Sequence, residues 1–398
     1  MRQLLKEIVH SGLFAESPAE SQALRILSGK PGVNPASISV SGGRVFAIRE
    51  CDGADCMIIM SRNPQCFDGF FGERFSEFHG GLSCYLLAAP LDHANADALR
   101  KALPFTAPSV LEGRESFGSG DRIGGKAPAT PAHIDAVRGS GLIPVLAQQP
   151  VRENQKTGRT FDDVLDDATW SVFRKGYRQA WGSDADHLKT LEDVGNAVRA
   201  GFTMFTLDPS DKIDSEADTC SDDVLSRKFE RLFPADGEKD RFLARYEGKH
   251  GASRWDVVRS AVKHLGAVRH AVLAYRRIVE LRGERSFNFE MSIDETSTPT
   301  SPLDHHIIAA ELYNAGVRLF SLAPRFEGEF EKGIDYKGSL EGFRRSLETH
   351  VCLSRELGGY RLSLHSGSDK FSVYPMFGEI TDGFFHVKTA GTSYLEAV

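Results

Sequence analysis

Short apolar segments that end in polar residues alternate with amphipathic segments along most of the chain beyond about residue 110. The apolar segments have the length of buried strands, and the segments between them, such as HHIIAAELYNAG, place apolar residues at helical spacing. The polar ends of eight successive strand-like segments are SFGSGDR, LAQQPVREN, GSDADHLKT, TLDPS, EMSIDET, SLAPRFEG, SLHSGSD and HVKTAGT. This alternation predicts an α/β fold, and its eight repeats favour a (β/α)8 TIM-type barrel over a doubly wound open sheet.

The first part of the chain has a different pattern. SISVSGGRVFAIRE, CMIIMSR and GGLSCYLLAAP have the character of strands and DALRKALPF that of a helix, without regular alternation. We therefore predict a small α+β unit over residues 1–105 and a barrel domain over residues 106–398. One barrel repeat is oversized, which predicts a helical insertion after the fourth strand, at about residues 211–283. At the mouth of a barrel, such an insertion suits either a lid or a subunit contact.

Composition excludes several classes of function. The 398 residues are 41% hydrophobic and 26% charged, and the net charge of −7 lacks the basic footprint of a nucleic-acid-binding protein. No apolar run approaches the roughly 18 residues of a membrane span. The N-terminal MRQLLKEIVHSG is amphipathic, unlike a secretory signal. We expect a cytoplasmic protein without nucleic-acid or membrane partners.

The six cysteines are scattered, and the nearest pair is Cys51 and Cys56 in CDGADC. No pair has the CxxC spacing typical of structural zinc sites, and nothing indicates secretion. We therefore expect neither a disulfide framework nor a structural zinc site.

Three of the thirteen histidines lie at predicted strand ends: His187, His365 and His386. The carboxyl ends of barrel strands meet on one rim, so these imidazoles can converge on a metal ion. The alternative that stays open is that each histidine is buried or solvated on its own.

Carboxylates also gather at or just beyond the predicted strand ends. They are Asp121, Asp186, Asp208, Glu290, Asp294, Glu295 and Asp369. Glu290 lies within the apolar strand FNFEMSI, where a charge is costly without a metal ion, lysine or arginine as its partner. A structural salt bridge would satisfy the same requirement.

Cations occupy the same predicted rim: Arg122, Arg152, Lys189, Arg325, Lys370 and Lys388. Such a ring suits an anionic, hydroxylated substrate, because arginine binds carboxylates bidentately. No GxGxxG opens a helix after a strand, and neither a Walker loop nor a GxSxG motif occurs, so the sequence predicts neither nucleotide dependence nor serine hydrolysis.

Several long motifs carry a family resemblance. They are GDRIGGKAPATPAHIDAVR, PVLAQQPVRENQKTGRT, DADHLKT, TLDPS, DETSTPT, SLAPRFEGEFEKGIDYKG, LSLHSGSDKFSVYP and HVKTAGTSYLEA. From about Gly120 onward the chain resembles the tagaturonate/fructuronate epimerase family. The resemblance implies a metal-dependent isomerase of hexuronate breakdown that interconverts the keto-sugar acids D-tagaturonate and D-fructuronate. It leaves open whether the protein is a homo-oligomer.

The two substrates differ at C4 in ketose numbering. The C4 hydrogen is not α to the ketone, so simple deprotonation cannot invert this centre. Cleavage of C3–C4 in a retro-aldol step, followed by recombination on the other face, can. Asp186-His187 is similar to the Asp-His pair of class II, metal-dependent aldolases. By this analogy Asp186 handles the C4 hydroxyl proton, while His187, His365 and His386 bind Zn, Mn, Ni or Co. Glu290 is then a second acid/base or a fourth ligand.

The cations complete this hypothesis. Lys189 and Arg325 are candidates for binding substrate hydroxyls, and Arg122, Lys370 or Lys388 for binding the carboxylate. The alternatives are a class II-type aldolase or epimerase acting on a related ketose or sugar acid, and a non-catalytic sugar-acid-binding barrel. A transient oxidation at C4 would need a nicotinamide, for which the sequence has no binding motif.

Overall fold

The structure is a computed structural model that describes residues 1–51, 53–125, 128–331 and 333–390. The chain divides into two compact units. One contains Met1–Pro108, Ile123–Arg138 and Asp162–Ala180; the other contains Ser109–Arg122, Gly139–Phe161 and the described residues from Trp181 onward. The first unit thus takes in two segments that the sequence analysis assigned to the barrel domain.

An antiparallel sheet of five strands, in the order β1-β2-β3-β5-β4, forms the centre of the first unit. Its strands are β1 (Ser39–Ser41), β2 (Arg44–Cys51), β3 (Ala54–Ser61), β4 (Glu73–His79) and β5 (Leu82–Pro90). Eight parallel strands form a closed barrel in the second unit. They are β6 (Glu115–Ser119), β7 (Ile143–Pro150), β8 (Gly182–Leu188), β9 (Met204–Leu207), β10 (Asn288–Ile293), β11 (Ser321–Pro324), β12 (Arg361–Leu364) and β13 (Phe385–Thr389). The predicted (β/α)8 barrel is confirmed.

The helices follow in chain order. They are α1 (Arg2–His10), α2 (Glu20–Leu27), α3 (His93–Ala102), α4 (Thr130–Val137), α5 (Val151–Thr157), α6 (Phe161–Lys175), α7 (Leu191–Ala200), α8 (Asp222–Leu232), α9 (Glu238–Tyr246), α10 (Arg254–Arg282), α11 (Pro302–Asn314), α12 (Leu340–Glu356) and α13 (Tyr374–Ile380). Short 3-10 turns cover Pro35–Ser37, Pro64–Phe67, Pro104–Thr106, Ser210–Lys212, Ser215–Asp218 and Lys249–Gly251. Within the described part of the chain, no helix combines the length and the apolar character that a membrane crossing requires.

Both faces of the N-terminal sheet are covered. Val45 and Ala47 of β2 belong to a core that includes residues of α1 and α2, whereas Phe46 belongs to a second core. That second core includes Leu99 of α3 and Trp170 of α6. Because successive strand residues point to opposite faces, a sheet covered on both sides needs consecutive apolar residues. This packing explains the apolar runs of the N-terminal segment and why part of α6 belongs to the first unit.

Cys51 and Cys56 are joined in a disulfide, contrary to the expectation from the sequence. Cys51 ends β2 and Cys56 lies in the antiparallel partner β3. The pairing of the two strands brings the Cα atoms to 6.2 Å, within the range of a disulfide. Spacing in the sequence does not reveal this proximity, because it depends on strand register.

The barrel strands alternate between apolar and polar residues. In β10, Phe289, Met291 and Ile293 alternate with three polar residues. Paired residues of neighbouring parallel strands face the same side, and the register pairs Glu290 with Thr206 of β9. The residues on this inner face include Ser116, Gly118, Gln148, Asp184, Asp186, Thr206, Asn288, Glu290, Ser292, Ser321, Ser363, His386 and Lys388. The centre of the barrel is therefore a polar network whose members need hydrogen-bond partners.

The oversized connection between β9 and β10 contains α8, α9 and α10. Helix α10 begins at a capping box, in which the side chains of Ser253 and Asp256 each accept a hydrogen bond from the other residue's backbone N–H. It packs against α7 and α11, and residues of α8 to α11 share an apolar core. The described helices thus lie where the sequence predicted a helical insertion.

Candidate functional site

A cavity of about 620 Å³ opens at the carboxyl ends of the barrel strands. Its wall includes residues at the ends of β7, β8, β12 and β13 and just beyond β10. A smaller cavity of about 360 Å³ shares Asp294, Glu295, His365 and Ser366 with it. Barrel enzymes place their active sites at this end of the strands, so the larger cavity is the candidate active site.

His187, Asp294 and His365 form a group of potential metal ligands in the wall of this cavity. One ligand atom from each lies within 4.8 Å of the others. His187 is the next-to-last residue of β8, and Asp294 and His365 directly follow β10 and β12. Two imidazoles and a carboxylate fit a divalent cation such as Zn, Mn, Ni or Co.

Local backbone geometry directs the His187 side chain. The register between β8 and β9 shifts after Ala185, and His187 has a positive φ of 55°. Such irregularities redirect side chains next to active sites, and a non-glycine residue adopts a positive φ at a free-energy cost. Helix α7 begins soon afterwards, at a capping box formed by Thr190 and Asp193. Strand β8 therefore ends at Leu188, directly after His187.

A carboxylate lies behind each of the two histidines. Asp186 Oδ1 is 2.7 Å from His187 Nδ1, and Glu290 Oε1 is 2.7 Å from His365 Nε2. His187 Nε2 and His365 Nδ1 are the ring nitrogens that these two carboxylates do not engage, and His365 Nδ1 lies 3.4 Å from Asp294 Oδ1. Metal-binding histidines commonly donate their second N–H to a carboxylate in this way.

Both oxygens of Glu290 are engaged. Oε1 lies near His365, Thr206 Oγ1 at 3.2 Å and Lys388 Nζ at 3.3 Å, and Oε2 accepts from the Ser321 hydroxyl. The side chain is fully buried. These contacts suit a residue that orients His365, in place of the acid/base or fourth-ligand role expected from the sequence.

Asp186 differs from Glu290 because one of its oxygens is open. Oδ1 accepts from His187 Nδ1 and from Lys388 Nζ at 2.5 Å. Oδ2 has no hydrogen-bond partner among the described residues, and Asp186 lines the cavity. Oδ2 is therefore the atom that can exchange a proton with a bound molecule.

Burial and neighbouring charges together set the ionisation of this network. Burial raises the pKa of Asp184 to about 6, against the opposing effect of Lys388. Burial would also raise the pKa of Asp186, but the charges of His187 and Lys388 outweigh it and hold that pKa below its ordinary value. For His365, the Asp294 and Glu290 carboxylates outweigh burial and raise the pKa to about 10.

His386 does not belong to the group of potential ligands. It is the second residue of β13, so it lies deeper in the barrel than residues at the strand ends. Its Nδ1 is 2.9 Å from Ser116 Oγ, and burial lowers its pKa to about 3, which keeps it neutral. Asp294 takes the third position. In the sequence, Asp294 directly follows a predicted strand. No ligand role was predicted for Asp294 from that position.

Lys370 and Lys388 are both engaged inside the protein. Lys370 Nζ donates to the carbonyls of Glu331, Ile334 and Ser368 at 2.7–2.8 Å. Lysine has three N–H donors, so these bonds give Lys370 a structural role in place of the expected substrate contact. The Nζ of Lys388 likewise faces carboxylates of the barrel, so it is not available to the carboxylate of a substrate.

The other predicted cations differ in their surroundings. Arg122 forms an ion pair with Glu153, in which Arg122 Nε is 3.0 Å from Glu153 Oε2. Lys189 forms an ion pair with Asp208, in which Lys189 Nζ is 3.3 Å from Asp208 Oδ2. Both line the larger cavity. Arg325 donates to the Thr296 carbonyl and lines the smaller cavity.

Arg152, at the start of α5, lines the larger cavity. It has no ion-pair or hydrogen-bond partner among the residues that the structure describes. From the sequence, Arg152 is expected on the rim, without a specific role. Its guanidinium is available to a ligand.

Comparison with known proteins identifies the family. The model of the tagaturonate epimerase family UxaE matches residues 35–398. A tagaturonate/fructuronate epimerase of Thermotoga maritima is 44% identical over 361 residues, which are 89% of this chain and 72% of that protein.

Comparison with solved structures leads to the same family. A glycerol complex of the fructuronate-tagaturonate epimerase UxaE from Cohnella laeviribosi has a TM-score of 0.82 at 37% identity, covering 93% of this chain and 74% of that chain. The native structure of that enzyme has the same TM-score at 36% identity, covering 94% and 76%. The resemblance found in the sequence is confirmed: the chain is an isomerase and belongs to the tagaturonate epimerase family.

Proposed function

We propose that this enzyme interconverts D-tagaturonate and D-fructuronate by metal-dependent retro-aldol cleavage and recombination. The observation that carries the proposal is the open Oδ2 of Asp186 beside the group formed by His187, Asp294 and His365. A proton acceptor and a set of cation ligands thus face one cavity, as this chemistry requires.

The bond changes balance without an external oxidant or reductant. The C4 hydroxyl loses its proton, the C3–C4 bond breaks, and its electron pair forms an enediolate over C3 and C2. The other half is the aldehyde 2-hydroxy-3-oxopropanoate. After its carbonyl group rotates, C3 attacks the opposite face, and the proton returns to the C4 oxygen.

The protein residues act on the proton and on the geometry. Asp186 Oδ2 would take the hydroxyl proton and return it, while Oδ1 stays bound to His187 and Lys388. A divalent cation held by His187, Asp294 and His365 would stabilise the negative charge that develops on substrate oxygens.

The charges of the cavity suggest where the substrate carboxylate binds. The wall contains eight carboxylate side chains, including Asp186, but only four lysine or arginine side chains. An anionic substrate therefore needs a cation that is not already neutralised. Arg152 meets this requirement, and Arg122 is held by Glu153 on the same cavity wall. We propose that Arg152 binds the carboxylate.

Proton NMR of D-tagaturonate with cation-loaded enzyme in D₂O tests the proposal. We expect D-fructuronate with its C4 hydrogen retained, because the C4–H bond never breaks. A chelator should abolish conversion, and return of the cation should restore it. Deuterium at C4 would contradict the retro-aldol route. Accumulation of 2-hydroxy-3-oxopropanoate would instead indicate net aldol cleavage, and no reaction with either acid would refute the substrate assignment.

A further inference from the structure

Lys388 connects opposite sides of the barrel. Strand β9 lies diametrically opposite β13 in the strand order, and β8 and β10 flank β9. Lys388 Nζ lies 2.5 Å from Asp184 Oδ2 and 2.5 Å from Asp186 Oδ1, both on β8. It also lies 2.8 Å from Thr206 Oγ1 on β9 and 3.3 Å from Glu290 Oε1 on β10. The side chain is almost fully buried.

Two of these partners are the carboxylates that orient the candidate cation ligands. Asp186 Oδ1 contacts both Lys388 Nζ and His187 Nδ1. Glu290 Oε1 contacts both Lys388 Nζ and His365 Nε2. A single ammonium group thus shares one oxygen with each imidazole. The two histidine rings, whose centroids are 5.3 Å apart, are therefore each linked to this group through one carboxylate oxygen.

The charges around Lys388 also bear on the positions of the two imidazoles. Three buried carboxylates, of Asp184, Asp186 and Glu290, meet around one ammonium group. Without a cation between them they would repel one another, and uncompensated burial of each charge is costly. Removal of the ammonium group should therefore displace the carboxylates and, with them, the imidazoles that they hold.

We propose that Lys388 is a positioning residue that holds Asp186 and Glu290 in place and so aligns His187 and His365 for cation binding. This inference rests on the cation site of the proposed function. It replaces the substrate-binding role that the sequence suggested for Lys388. The expected consequence of losing Lys388 is a weaker and distorted cation site.

Titration of the metal-free enzyme with Co²⁺, followed by visible absorption, tests this role independently of activity. Lys388→Met should weaken cobalt binding by about 10–100-fold, the usual effect of losing a residue that orients metal ligands. The d–d absorption spectrum should also change, because the imidazoles no longer approach the ion at the same angles. Wild-type affinity and spectrum in a variant with normal circular dichroism would overturn the inference.

Lys370→Met is the matched control. It also removes a buried lysine, but the bonds that it breaks go to backbone carbonyls outside the carboxylate cluster. We expect it to lower the melting temperature and leave cobalt affinity and spectrum unchanged. If Lys370→Met weakens cobalt binding as much as Lys388→Met does, a general loss of packing explains both, and the inference fails.

A second variant decides the question if Lys388→Met does not fold. Asp184 contacts Lys388 and Thr206 but neither histidine, so Lys388→Met combined with Asp184→Asn removes one charge of each sign. A folded double variant with weak cobalt binding supports positioning, and one with wild-type affinity overturns it. If the wild-type enzyme itself binds no cobalt, zinc, manganese or nickel, the proposed cation site fails. If the wild-type enzyme binds the cation and the Lys388 variants bind it equally well, only the role of Lys388 is refuted.

Discussion

Replacing Asp186 with asparagine tests the proposed proton transfer with little change in shape. The amide oxygen can keep the contacts that Oδ1 makes with His187 Nδ1 at 2.7 Å and Lys388 Nζ at 2.5 Å. The amide NH₂ then replaces Oδ2 on the cavity side, where it cannot accept a proton. We therefore expect Asp186→Asn to fold and to bind the cation but to lose turnover.

The expected loss of turnover in Asp186→Asn follows from the role of Asp186 as a general base. A positioned general base contributes about 10²–10⁴-fold to a rate. At about 1.36 kcal/mol per factor of ten, this corresponds to about 3–5 kcal/mol of transition-state stabilisation. Stability should change much less, because Lys388 keeps Asp184 and Glu290 as partners and no buried charge loses all compensation.

The assay is the initial rate of D-fructuronate formation by NMR, with cation content and melting temperature measured on the same samples. Asp208→Asn is the matched control, because Asp208 is also a buried carboxylate of the cavity wall but pairs with Lys189. We expect a much smaller loss of kcat for this control. If fully cation-loaded Asp186→Asn keeps kcat within about threefold of wild type, the base is another group.

Three further predictions concern the cavity and the barrel periphery. Arg152→Ala should raise KM for the uronate about 10–150-fold, because a charge-assisted contact worth about 1.5–3 kcal/mol is lost, and should affect the matching neutral ketose less. Equal penalties in steady-state kinetics would exclude a carboxylate contact. His187→Ala should abolish cation binding in calorimetry whereas His386→Ala should not, and the reverse result would place the site deeper in the barrel. His305 and His350, whose Nδ1 atoms are 2.8 Å apart, are buried, and burial lowers the pKa of His350 to about 4. Because the unfolded chain binds protons that the folded chain does not, the free energy of unfolding should fall as pH drops from about 6.5 to 5, by about 1–2 kcal/mol for His350. Urea unfolding of His350→Gln should show a shallower pH dependence, and an unchanged one would contradict this reasoning.

Several features of the site could be predicted from the sequence because they depend on local patterns. Polar residues that follow apolar strand segments indicated the rim, and this rule alone placed His187 and His365 on it. The FNFEMSI strand showed that Glu290 needs a partner, and the structure supplies Lys388 and His365. The family motifs are likewise local strings, and they led to the correct family.

Other features of the site depended on how far along the barrel axis each residue lies. His386 and Asp294 both lie near strand ends in the sequence, but His386 is the second residue of β13 while Asp294 follows β10. Strand bounds inferred from sequence carry errors of about 2–4 residues, enough to interchange these positions. The stagger of neighbouring strands in a closed barrel then sets each residue's level along the axis.

The sequence by itself therefore determined the repeating strand–helix architecture and the chemical character of its rim. Burial of one face of each element imposes a periodicity that any short window of the chain displays. Only the tertiary structure decided which groups meet: Lys388 with three carboxylates, Lys370 with three carbonyls, and Cys51 with Cys56. These contacts join residues whose proximity depends on strand register, turn geometry and barrel closure, and no local pattern of polarity encodes those long-range constraints.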